Sequence, residues 1–230
     1  MKRAGLVLIV CSLAFVAVFS YLAAAFGYPD VLRQPAAAVL PALLAGGSKL
    51  RAVWFLYAAL PLGIVYAGPA AAPLLARAGR RLRVIGTAAA VAAGFAMTTG
   101  LLRWPTIEWK LARAWETAPE AARPWLAARF DASNFVLGNL IGELCGELFL
   151  ALWFLTVALA FHTDGRRRLG ALGLGAAVVL AVAAFRNITP AVAVIAAISN
   201  VTLPLWLLTL GIVFLRDGRE GRLEQRPPGR

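Results

Sequence analysis

The sequence predicts an all-α, polytopic transmembrane helical bundle of about six spans. Three observations carry that reading. The 230 residues are 61% hydrophobic and only 15% charged, whereas a soluble domain is about 45–50% apolar and about 25% charged. Several apolar runs approach the roughly 20 residues that a bilayer crossing needs. The cations sit in short segments between those runs, where membrane topology places them.

The first run, 4–26, follows Lys2 and Arg3. Ala23-Ala24-Ala25 would suit signal cleavage, but the run is longer than the about 7–15 residues of a signal core, so an uncleaved span is expected. A connection with Pro29, Pro35, Pro41 and Gly46-Gly47 follows, and 36–44 reads as a short helix on or in the interface. The second span is 52–76, kinked at Gly68-Pro69, and Arg77, Arg80, Arg81 and Arg83 share the next short loop. The third span, 84–102, is rich in Ala and Gly, which lets neighbouring helices approach closely.

The longest polar connection, 103–133, holds Trp104, Trp109, Trp115 and Trp125. Ile107, Leu111 and Trp115 fall on one helical stripe, with Glu108, Lys110 and Arg113 off it. Thr117 and Glu120 have capping-box spacing, and Pro119 suits a first helical turn. These features predict two short amphipathic interfacial helices within 105–132, with Trp at headgroup depth. They serve either to cap the bundle or as a substrate lid. The remaining spans are 134–161, 169–185 and 191–215, joined by "HTDGRRR" and "RNITP". The whole reads as one integral membrane domain, 1–216, with a disordered charged tail, 217–230.

The net charge of +12 does not point to nucleic acid, because the cations follow the loops. With both termini in the cytoplasm, fourteen Lys and Arg lie on that side and nine on the other. That bias favours cytoplasmic termini. Cys11 and Cys145 lie in apolar runs and read as buried thiols. His162, the only histidine, reads as a solvated loop residue. One His and two dispersed Cys make no usual zinc or haem site, so no metal or cofactor is expected.

The order of motifs is a further signal. A YPD-containing outer loop precedes "GLLRWP" at the end of the third span and a Trp-rich amphipathic loop. "GNLIGELCGELFLALWF" and "NVTLPLWLLTLGIVFLR" follow. This order resembles a bacterial family of six-helix integral membrane proteins known only as a domain of unknown function. The resemblance implies the fold and a bacterial inner-membrane location, and it brings no activity.

The chemistry concentrates in the fourth span. Gly138, Gly142 and Gly146 repeat every fourth residue and form a smooth packing face. Asn139, Glu143 and Glu147 repeat beside it as a polar stripe. If the span enters the bilayer at Asn134, Glu143 lies roughly 14 Å deep, near the midplane. An ionised carboxylate there costs at least about 2.5–3.5 kcal/mol, so the pair must face the bundle interior, be partnered, or be protonated. Ser199, Asn200 and Thr202 of the sixth span are candidate partners, and Arg103 and Arg186 are cations whose long stems could reach inward.

The predicted site is therefore Asn139, Glu143, Glu147, Ser199, Asn200 and Thr202, and no catalytic residue is assigned. The simpler reading is a packing seam of the fourth span against the sixth. Three functions stay open. One is proton- or cation-linked transport through the carboxylate pair. Another is a non-enzymatic regulatory or scaffolding protein, binding lipid, a second copy or a membrane partner through the Gly-rich face. The third is an intramembrane enzyme acting on lipid, for which the sequence shows neither nucleophile nor metal motif.

Overall fold

The structure, a computed structural model, describes residues 1–223. Six of its helical runs are long and apolar enough to cross a membrane. The first is α1, Lys2–Phe26, which ends at Gly27 in the left-handed conformation (φ 67°). A 3-10 turn, Asp30–Arg33, leads to α2, Ala36–Ala45.

The second span is built from α3 (Gly47–Ala59), α4 (Leu62–Ala70) and α5 (Ala72–Arg77). Its interruptions fall at Leu60-Pro61 and at Ala71, while Pro69 sits inside α4. Pro61 has no N–H to donate back to the preceding turn, so the helix loses a bond there.

The third and fourth spans depart most from expectation. Helix α6, Arg80–Leu102, passes through a π-helical segment, Trp104–Glu108, into α7, Trp109–Thr117. Likewise α8, Arg123–Ser133, passes through a π-helical segment, Asn134–Cys145, into α9, Gly146–Thr163. The expected interfacial helices are thus extensions of the spans, within the runs Arg80–Thr117 and Glu120–Thr163. Polarity alone does not end a helix. The chain breaks only at Ala118, which is extended (ψ 134°) because the following Pro119 disfavours the helical conformation there. The expected capping box does not form. Thr117 closes α7, and the 3-10 turn after Pro119 has no side-chain cap.

The π-helical turn also reverses part of the predicted stripe. The Glu108 N–H bonds Arg103 O, five residues back, at 2.8 Å. A π turn holds more residues than an α turn, so the phase shifts. Glu108 becomes fully buried and Ile107 becomes 41% exposed, the opposite of the α-helical expectation.

The fifth span is α10, Arg167–Ala183. Two 3-10 turns, Ala184–Asn187 and Pro190–Val192, lead to α11, Ala193–Leu223. Helix α11 therefore continues through 217–223, which had been expected to be disordered. The start of α1 packs against it there: a Cβ at Gly218 would meet the Lys2 backbone. The rest of the expected tail, 224–230, lies outside the described residues.

Two apolar cores result. One lies within the six spans and includes Leu8, Ile64, Trp153, Phe154, Phe161 and Phe214. The other joins the span ends away from the start of α1 to α2, α7 and α8 around Phe26, Leu40, Trp54, Trp104 and Phe130. Trp54 and Trp104 stack at 4.9 Å, and Phe26 meets both edge-on. Such pairs add about 0.5–1.5 kcal/mol each beyond burial; Phe130 of α8 meets Trp104 edge-on at 6.5 Å, and α2, α7 and α8 cover this cluster as a cap. At the opposite end, where the start of α1 meets α11, Asp164 binds Arg77 at 2.7 Å and Arg166 at 3.1 Å. Arg166 also reaches Asp217 at 2.9 Å.

Candidate functional site

A cleft of about 390 Å³ opens among the span ends under the cap, on the side away from the termini. The first loop contributes Tyr28, Asp30 and Arg33 to its lining. The second and third spans contribute Tyr57, Met97, Gly100 and Arg103. The fourth contributes Asn139, Glu143 and Glu147, the following turn Arg186 and Asn187, and the sixth span Ala196, Asn200 and Leu203.

Arg186 organises the charges. Its Nη2 donates to both carboxylate oxygens of Glu147 at 2.6 Å, and its Nε donates to Ala183 O at 3.0 Å. Nη2 also lies 3.4 Å from the Ser199 hydroxyl. Glu143 is held differently. Asn187 Nδ2 donates to its Oε2 at 2.7 Å, and Arg186 Nε stands 4.0 Å from the same oxygen. That separation is an ion pair without a hydrogen bond. The side chains of Arg186, Glu147 and Glu143 are 15%, 14% and 21% exposed. One carboxylate is therefore locked to a guanidinium, and its neighbour keeps a free oxygen facing the cleft.

The predicted site residues separate accordingly. Asn139, Glu143, Glu147 and Asn200 line the cleft, and Ser199 touches it through Arg186. Thr202 does not belong. Its hydroxyl donates to Ile198 O of its own helix, and it does not line the cleft. The simpler alternative, a packing seam of the fourth span against the sixth, does not describe the glycine face, which meets the third span. A Cβ at Gly142 would stand 2.9 Å from Gly100 Cα, one at Gly146 2.7 Å from Met97, and one at Gly138 2.6 Å from the Arg103 guanidinium. Glycine is the only side chain that admits the two backbones and Arg103 at these distances.

The depth estimate also changes. Glu147 precedes the end of α9 at Thr163 by sixteen residues, roughly 24 Å along a helix. It is level with Arg186, just past the C-terminal end of α10. The carboxylates thus lie level with the end of the fifth span that is away from the start of α1. Asn134, taken as the start of the fourth span, lies inside a longer helical run.

A second buried charge pair underlies the cleft. Arg103 is 4% exposed and Glu108 is 0% exposed, with Nε 4.0 Å from Oε1. Arg103 donates to Gly100 O at 2.5 Å and to Asn134 Oδ1 at 2.9 Å, and its guanidinium lies over the Trp104 ring at 5.0 Å. The Ser133 hydroxyl donates to Glu108 Oε1 in a very short contact. Arg103 Nε and Glu108 Oε2 make no hydrogen bond among the described residues. This pair ties the two π-helical segments together, and π turns concentrate at functional sites.

The matching family model is Domain of unknown function (DUF4386), over residues 3–211. The chain belongs to the DUF4386 family. Neither the curated proteins nor the solved structures contain a match. The six apolar helices make this DUF4386 member a multi-pass membrane protein by length and composition.

Sequence reasoning missed Asn187, Tyr28, Tyr57 and Glu108. Tyr28 and Tyr57 lie 5.9 Å apart edge-to-face. Burial pushes the Tyr28 phenol up to about 12, and the Glu143 carboxylate adds to the rise. Its place in the YPD loop was visible, but no local spacing connects residue 28 with residue 143. Asn187 was visible beside Arg186 in "RNITP", and only the turn after α10 brings it to Glu143.

Proposed function

We propose that this protein is a bacterial inner-membrane, non-enzymatic transporter of the proton- or cation-linked kind, with both termini cytoplasmic. The cleft then faces away from the cytoplasm, and Glu143 is the exchanging group. The observation that carries the reading is the unequal treatment of the two carboxylates. Glu147 is tied at both oxygens by Arg186, while Glu143 keeps one oxygen open to the cleft. A proton or cation on Glu143 weakens its attraction to Arg186, 4.0 Å away, and leaves Arg186 to Glu147 alone. That change in charge is what a coupled carrier uses to alter the contacts between its fourth, fifth and sixth spans. The cation bias of the loops supports the orientation. A regulatory or scaffolding role through the Gly-rich face has less support, since the third span already covers that face. The lipid bilayer is the surrounding partner, and a homo-oligomer is compatible with the small chain.

The test is labelling by a hydrophobic carbodiimide, which modifies protonated carboxyls, on protein in lipid nanodiscs. It is read by mass spectrometry across pH. Expected is labelling at Glu143 that fades as pH rises, with Glu147 spared. A Glu143→Gln variant should abolish the labelling and keep the melting curve. Glu143 unlabelled at every pH counts against exchange there.

A further inference from the structure

We infer that the cleft binds a small zwitterion with an ammonium and a carboxylate a few ångströms apart on an apolar body, as in an α-amino acid. The inference rests on the reading of the cleft as the functional site and names its substrate class.

Four groups on the cleft wall are uncommitted among the described residues. Glu143 Oε1 accepts no hydrogen bond, and Arg186 uses Nε and Nη2 but not Nη1. The Asn139 and Asn200 amides line the cleft and take part in no hydrogen bond of the structure. Together they offer an anionic acceptor, a cationic donor and two amides that both donate and accept. Arg186 Nε and Glu143 Oε2 stand 4.0 Å apart, too far for a hydrogen bond and close enough that one small molecule can engage both side chains.

The chemistry of the wall narrows the ligand. Glu143 and Arg186, of opposite charge, stand side by side on the cleft wall. A zwitterion supplies an ammonium for Glu143 and a carboxylate for Arg186. The remaining wall, Tyr57, Met97, Ala196 and Leu203, is mainly apolar and accepts a hydrocarbon side chain. The volume of about 390 Å³ suits a small organic molecule. A bare proton needs no such chamber. Among the described residues no three His, Cys, Asp or Glu come together as metal ligands, so the donor set favours an organic ammonium.

The experiment uses the full chain in nanodiscs of phosphatidylglycerol, which carries no zwitterionic headgroup. Equilibrium dialysis against an equimolar mixture of the twenty standard amino acids, read by mass spectrometry, should show retention of at least one apolar member. The methyl ester of the retained amino acid (a cation) and its N-acetyl form (an anion) should each bind at least tenfold more weakly. Glu143→Gln should weaken binding tenfold or more. Asn139→Ala and Asn200→Ala, which break no hydrogen bond of the resting structure, should weaken it threefold or more with unchanged melting. Retention of no amino acid overturns the inference, and so does equal binding of the methyl ester. Tighter binding of O-phosphoethanolamine would assign the site to a lipid headgroup and overturn it as well. Carbodiimide labelling of Glu143 that persists without amino-acid binding would refute the zwitterion alone and leave proton exchange standing.

Discussion

Arg186 donates through one nitrogen to both oxygens of Glu147 at 2.6 Å, while Glu143, one turn earlier, receives its hydrogen bond from Asn187. Two neighbouring carboxylates on one helix thus have different partners, supplied by consecutive residues of the turn after α10. The asymmetry makes the pair testable one member at a time.

Removing the guanidinium should be worse than removing the pair. Arg186→Gln leaves two carboxylates side by side with only Asn187 donating to them, and breaking a buried ion pair costs about 3–5 kcal/mol. A clear fall in melting temperature in nanodiscs is expected. Adding Glu147→Gln to Arg186→Gln should recover most of it, because the stranded charge goes with its partner. Additive losses in the double variant would show that the two side chains act independently.

The contact of the third and fourth spans should tolerate no added methyl. Gly100→Ala places a Cβ 2.6 Å from Gly142 Cα, and Gly142→Ala places one 2.9 Å from Gly100 Cα. Backbone atoms cannot step aside singly, so overpacking of about 1–3 kcal/mol is expected. Gly175→Ala is the control, since a Cβ there meets nothing within 4 Å and alanine favours the helix. Thermal melts of the three variants give the ranking directly.

Ser133→Ala tests the buried carboxylate beneath the cap. The serine hydroxyl is the hydrogen-bond donor to Glu108, whose other oxygen is already unpartnered. Losing a bond to a buried polar group costs about 1–3 kcal/mol. Proteolysis should therefore cut the α7–α8 connection, 118–122, faster in this variant than in the wild type. Unchanged cleavage rates would mean that water replaces the hydroxyl.

Tyr28 sets an alkaline limit. Its phenol is pushed up to about 12 by burial, from an ordinary value of 10. The folded state therefore holds this proton more tightly than the unfolded state. Its stabilising share is complete below about pH 10 and disappears as pH rises through about 12. Melting temperature should fall between those values, and less steeply in Tyr28→Phe. Parallel curves for the two proteins would show that Tyr28 does not ionise in this range.

The membrane class and the six spans were legible in the residue order, and "GNLIGELCGELFL" was picked out there as the candidate site. Apolar run length is a local property, and a bilayer imposes it directly. The unusual placing of Glu143 and Glu147 was legible for the same reason, since an intramembrane carboxylate stands out against its neighbours. Arg186 was identifiable as a cation within reach, though nothing local chose Glu147 over Glu143 as its partner.

Tertiary structure decided the rest. Which helix covers Gly142, which carboxylate Arg186 takes and whether Thr202 faces the cleft all depend on contacts between residues far apart in sequence. So does the level of the carboxylates along the bundle, which the α9–α10 hairpin sets. The buried position of Glu108 depends on a π turn that shifts the helical phase, and an α-helical period cannot foresee it. Hydrophobic length is written residue by residue, whereas the pairing of charges is chosen only when separate helices bring them within a few ångströms of each other.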